Sequence, residues 1–134
     1  MIEKRVYIVS GVLLALLFIV VVLMAYSPRE VHLTDADNGK TIELKKGQVL
    51  SITLEANPTT GYTWEVVEGD EEVVRQLDEI EFKPESEAIG AGGVQIIRLE
   101  VVNAGQTTLK LVYYRPWETG VEPLKTFSIQ VIAW

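Results

Sequence analysis

The chain has 134 residues, with 19 acidic against 12 basic side chains, one histidine and no cysteine. That length holds one ordinary domain with a short appendage. Without cysteine there is no disulfide framework, thiol nucleophile or cysteine metal site; a single His32 rules out histidine dyads and multi-histidine metal centres; and the lack of a Lys/Arg cluster argues against nucleic acid as a partner, because neutralising phosphates needs a basic patch.

Charges at Glu3, Lys4 and Arg5 open the chain and then stop. Val6 to Tyr26 is a run of 21 residues dominated by Leu, Val and Ile and interrupted only by Ser10 and Gly11. As a helix it would extend about 32 Å at ~1.5 Å per residue, enough for a hydrocarbon core of ~30 Å. It shows no polar face, which a buried helix of a soluble domain would be expected to show. The competing reading is a cleaved signal peptide, whose apolar region is usually ~7–15 residues. Ala25-Tyr26-Ser27 resembles a cleavage site, yet Pro28 would then stand first in the mature chain and hinder processing. An uncleaved anchor is therefore the expectation: residues 1–27 form a cytoplasmic N-terminus and a transmembrane signal anchor. Lys4 and Arg5 place the amino end in the cytoplasm, with Arg29 weakening that bias. Residues 28–134 then lie outside the membrane as a single-pass extracytoplasmic domain, or are secreted if the segment is cleaved.

From Pro28 onward the pattern has period two. Val31 and Leu33 alternate with His32 and Thr34, which puts His32 toward solvent. Asp37-Asn38-Gly39-Lys40 predicts a type I′ hairpin turn leading to Ile42 and Leu44. Lys46-Gly47 is a second turn. Leu50, Ile52 and Leu54 then face inward, with Ser51, Thr53 and Glu55 outward, and Trp64 and Val66 resume the inward face. Between them lies Asn57-Pro58-Thr59-Thr60-Gly61-Tyr62, a loop that the sequence makes stiff. Pro58 fixes its own φ and restricts Asn57, while Gly61 takes a positive φ that Thr or Tyr would resist. A loop held this way loses little entropy on binding.

Asp70 is expected to cap one or two helical turns carrying Val73, Val74 and Leu77 on one side. The acids around it lack calcium-loop spacing and read as a solvated face. Ile80 and Phe82 form a short strand before Pro84. Glu85 to Gly93, with Gly90, Ala91, Gly92 and Gly93 at its end, is a glycine-rich connection. No lysine or helix follows to make it a phosphate cradle. Ile97, Leu99 and Val101 form an inward face, as do Leu109, Leu111 and Tyr113 after the Asn103-Ala104-Gly105 turn. Arg115-Pro116-Trp117 opens a third loop, and Phe127, Ile129 and Val131 complete the last strand. No cofactor is implied anywhere.

Strands at this spacing without crossover helices predict an all-β, immunoglobulin-like antiparallel sandwich preceded by one transmembrane helix. Counting strands puts Trp64 in the buried-tryptophan position of that fold and gathers the three loops at one end. Those loops, N-P-T-T-G-Y, G-A-G-G and R-P-W in that order, resemble those of the chagasin-type inhibitors of papain-like cysteine peptidases. The likeness spans roughly Val31 to Trp134. It implies a monomeric inhibitor domain whose partner is a papain-like cysteine peptidase. Thr59 and Thr60 would sit over the catalytic thiol and imidazole, Gly90–Gly93 beside the non-primed subsites pairing backbone with the enzyme, and Trp117 on the primed side with Arg115 near the rim. The alternative is an anchored adhesion module of the same fold, which has no special need of a two-threonine loop or an exposed tryptophan. An enzyme using acids such as Glu118 and Glu122 is the poorest reading, since nothing gives them a partner or a pocket.

Overall fold

The computed structural model of the chain describes residues 10–19 and 29–134. Residues 10–19 are helical, with Leu13, Leu14, Leu17 and Phe18 among the exposed apolar side chains. Among the described residues no helix is long and apolar enough to cross a membrane. The remainder of the Val6–Tyr26 run and the boundary at residues 27 and 28 lie outside the described residues.

Nine strands make up the rest: β1 (Glu30–Thr34), β2 (Thr41–Leu44), β3 (Val49–Ala56), β4 (Thr63–Glu68), β5 (Val74–Gln76), β6 (Glu81–Pro84), β7 (Gly93–Val101), β8 (Gly105–Tyr114) and β9 (Lys125–Ala133). One sheet runs β1-β3-β7, with β5 and β6 both on the free side of β7, and the other runs β2-β9-β8-β4. The period-two faces meet between them. Leu50, Ile52, Leu54, Ile97 and Leu99 from one sheet pack against Leu109, Leu111, Phe127, Ile129 and Val131 from the other, all fully or almost fully buried.

The sandwich is mixed rather than antiparallel. β1 pairs with β3, and β2 with β9, in parallel. The expected hairpin between the first two strands does not form, because β1 and β2 belong to different sheets. Asn38 has φ −55° and ψ 130° and Gly39 has φ +84°, the type II pattern, whereas a type I′ turn needs positive φ at both central residues. A single 3-10 turn at Asp35–Asp37 carries the chain across the sandwich, closed by a reciprocal cap between Thr34 and Asp37. The Thr34 N–H and the Lys40 ammonium hold the Asp37 carboxyl below its ordinary range. This cap therefore contributes at neutral pH and is lost as pH falls through that lowered value.

The helical turns expected after Asp70 shorten to one turn. Asp70 does cap it, accepting the Glu72 N–H at 2.9 Å, but the adjacent β-branched Val73 and Val74 are both buried and favour the strand that begins at Val74. Leu77 ends up exposed. Two outward positions are also buried, Ser51 and Val112, because β3 and β8 are interior strands of their sheets. His32 is exposed, as its phase predicts.

Strand direction places the site. Ala56 pairs with Gly93, Pro84 with Gly93, Thr63 with Tyr114 and Tyr113 with Lys125. The β3–β4, β6–β7 and β8–β9 connections thus leave the same end of the sandwich, where the strand count puts them.

Candidate functional site

The β3–β4 loop is a 3-10 turn, Pro58–Thr60, capped at both ends. Asn57 Oδ1 accepts the Thr59 N–H at 3.3 Å and its hydroxyl at 2.5 Å. Thr60 Oγ1 donates to the Asn57 carbonyl at 2.5 Å. Both threonine hydroxyls therefore have their hydrogens engaged inside the loop and turn only acceptor lone pairs outward. Gly61 closes the turn in the left-handed region at φ +87°. A Cβ there would also stand 2.2 Å from the Trp117 ring, so glycine is required both by the backbone and by the indole lying on it.

The other two loops are fastened to this one. Asn57 Nδ2 donates to the Gly90 carbonyl at 3.2 Å. Arg115 Nε donates to the Thr60 carbonyl at 3.0 Å, and its guanidinium lies 4.4 Å above the centre of the Tyr62 ring, within cation–π range. The same guanidinium binds Glu118 at 3.2 Å. Trp117, resting on Gly61, is still 67% exposed. Asn57 to Tyr62, Gly90 and Arg115 to Trp117 thus form one continuous ridge.

The glycine-rich segment divides in two. Gly90 has φ +78° and open space around it, as a loop-tip glycine should. Gly93 is already in β7, and a Cβ on it would lie 2.1 Å from the Lys83 carbonyl oxygen. Its glycine is needed for close strand packing. Within the loop the Ala91 N–H bonds Ala88 O and Gly92 O accepts the Glu85 N–H, so part of this backbone is satisfied by the domain itself.

Two supporting residues escape sequence reasoning. Tyr113 was legible only as an inward residue of β8. Its ring stacks on Trp64 at 5.2 Å and on Tyr62 at 5.3 Å, and its hydroxyl accepts the Asn57 N–H at 2.8 Å. One column of rings thus connects core tryptophan, loop tyrosine and Arg115. Gln95 is buried and joins the two sheets: its Oε1 accepts the Trp64 N–H at 2.9 Å and its Nε2 donates to Thr63 Oγ1 at 3.0 Å. The available signal was a polar residue in the inward phase of Ile97, Leu99 and Val101. Beside the ridge, the Tyr114 hydroxyl bonds the Glu65 carboxylate, which raises its pKa.

Tyr113→Phe should keep the stack and lose only the bond to Asn57. Removing one such bond typically costs ~0.5–1.5 kcal/mol, so binding through the β3–β4 loop is expected to weaken about fivefold while the domain stays folded. Equal binding by the two proteins would refute that role.

The sandwich presents three interlocked loops at one end, the arrangement of a candidate binding domain. Residues 43–131 match the family described as Chagasin family peptidase inhibitor I42. The chain is 33% identical to Amoebiasin-2 of Entamoeba histolytica over 101 residues, covering 75% of this chain and 82% of that one. It is 32% identical to Chagasin of Trypanosoma cruzi over 104 residues, 75% of this chain and 94% of that protein. Among solved structures it resembles the crystal structure of the cysteine protease inhibitor EhICP2 from Entamoeba histolytica, with a TM-score of 0.70 and 29% identity over 81% of this chain and all of the other. The chain belongs to the chagasin family of peptidase inhibitors. It is not an enzyme, and Glu118 pairs with Arg115.

Proposed function

We propose that the chain is a reversible, competitive inhibitor of papain-like cysteine peptidases that fills the active-site cleft with residues 57–62, 90–93 and 115–117. The observation that carries this reading is the fastening of the three loops to one another, Asn57 to Gly90, Arg115 to Thr60 and Trp117 on Gly61. A surface ordered before it binds gives up little conformational entropy. In a cleft that holds a thiolate–imidazolium pair, the outward lone pairs of Thr59 and Thr60 suit the imidazolium N–H. The tight turn at Pro58–Thr60 offers no extended strand for attack on a peptide bond. Trp117 and Arg115 are residue types that dominate binding energy at interfaces.

Titrating the chain against papain-like and serine peptidases with a fluorogenic substrate tests this. Competitive, reversible inhibition of the cysteine peptidases alone is expected, with the inhibitor recovered intact by mass spectrometry after long incubation. Stoichiometric cleavage between Thr59 and Thr60 coupled to loss of inhibition would replace the wedge with a substrate-like mechanism.

The segment 6–26 serves, in the same proposal, as a membrane anchor that keeps the inhibitor domain on the extracytoplasmic side. Its support is the apolar run in the sequence, interrupted only by Ser10 and Gly11, and the exposed apolar side chains of residues 10–19.

A further inference from the structure

The end of the sandwich opposite the three loops carries a basic and aromatic corner. β1 and β3 run in parallel from this end, with Glu30 beside Val49, and Arg29 is tied there by the bond from Val49 N to its carbonyl. The β2–β3 turn brings Lys45 and Lys46 to the same corner. Trp134 is held beside them, its N–H bonded to Leu44 O and its carbonyl to Lys46 N. Its indole is 63% exposed and lies 5.0 Å from the Lys45 ammonium. Lys46 and Arg29 are exposed. Of the acids at this end, Glu30 is paired with Arg98 at 3.6 Å, and Glu100 stands one strand further in, opposite Val49. The acids Asp70, Glu71 and Glu72 stand at the far corner of the same end, beside β5 and the β7–β8 turn, where Asn103 binds the Glu72 carbonyl.

We infer that the corner formed by Arg29, Lys45, Lys46 and Trp134 docks on an anionic phospholipid headgroup layer and sets the orientation of the domain. This rests on the reading of residues 6–26 as an anchor. Three residues separate Tyr26 from Glu30, and even a fully extended chain covers only about 14 Å over that stretch. A membrane-embedded run must therefore hold this end of the domain at the headgroup layer. Tryptophan and lysine are the side chains suited to that layer, one amphipathic and the other attracted by its surface potential. The acidic corner is repelled, so the charge pair along this end selects which corner settles. The inhibitory loops, a strand length of roughly 25–30 Å away, then point into the aqueous space where a peptidase can reach them.

The test uses the full chain reconstituted into phosphatidylcholine vesicles with or without phosphatidylglycerol, and lipids carrying a quencher near the headgroup. The chain should float with the vesicles, and Trp134 emission, isolated in a Trp117→Phe background because Trp64 is buried, should be quenched, more so with the anionic lipid. In the matching Trp134→Phe protein, Trp117 should escape quenching. Replacing Lys45 and Lys46 by Ala should shift the docked-to-undocked ratio by roughly fivefold per lysine. A floating chain whose Trp134 is unquenched, or whose Trp117 is quenched instead, overturns the inference and leaves the anchor standing. A chain that does not float removes the anchor, and the inference with it.

Discussion

Trp64→Ala is expected to destabilise the domain by about 3–5 kcal/mol, the range for truncating a large buried aromatic. Trp64 is 5% exposed and belongs to the core cluster. Its removal leaves a cavity at the point where the sheets close over the loop end, and takes away one face of the Tyr113 stack. It also strips the Glu55 carbonyl of the indole N–H that it accepts at 3.0 Å in a part-buried setting, a smaller loss of one hydrogen bond. Chemical denaturation of the variant and the parent measures the difference. A loss below ~1 kcal/mol would mean that the stack and the inter-sheet bonds of Gln95 hold this end without the indole. The inhibition constant of the folded variant should change as well, since Tyr113 stands between Trp64 and the loop.

Trp117→Ala is expected to do the reverse. The side chain is two-thirds exposed, and substitutions at such positions usually fall within about 0.5 kcal/mol of neutral for stability. An exposed indole seated on a glycine backbone, with a guanidinium two residues before it, has the character of an interface anchor. Truncation should weaken peptidase binding by roughly 2 kcal/mol, or about thirtyfold. The loss should appear mainly as faster dissociation, because the loops remain fastened by Asn57 and Arg115 and the encounter is unchanged. Thermal melting and stopped-flow displacement on the same preparation separate the two properties. If Trp117→Ala unfolds the domain while its folded fraction inhibits normally, the indole is structural and the primed-side contact belongs to another residue.

Much of this architecture was legible in the sequence, for a physical reason. Alternation states which face of a strand is buried, so the core of Leu50, Ile52, Leu54, Leu109 and Phe127 could be read residue by residue. Alternation does not state which strand lies alongside which. The parallel pairs β1–β3 and β2–β9 were therefore invisible, and Asn38-Gly39 was read as a hairpin when it is the end of a crossing between sheets. The three loops could be located because proline and glycine mark them and because their motifs resemble a family. What joins them was hidden, since each fastening links residues distant in sequence: Asn57 with Gly90, Thr60 with Arg115, Gly61 with Trp117. Gly93 shows the opposite limit. It belongs to a glycine-rich motif, yet its backbone is in a strand, and the contact that demands glycine is with Lys83 of the neighbouring strand.

The position of β9 has a consequence for how the domain is made. β9 lies between β2 and β8, so the second sheet cannot close until β9 is available. Thr41, near the start of the domain, waits for Gln130, near its end. Contacts of such long sequence separation make folding slow, and until then β2 and β8 each carry an unpaired edge that invites association with other chains. Loss of the final strand would divide one sheet into two unconnected parts rather than trim it. Assembly of the second sheet thus waits for β9, which couples the first strands of the domain to the strand farthest from them in sequence.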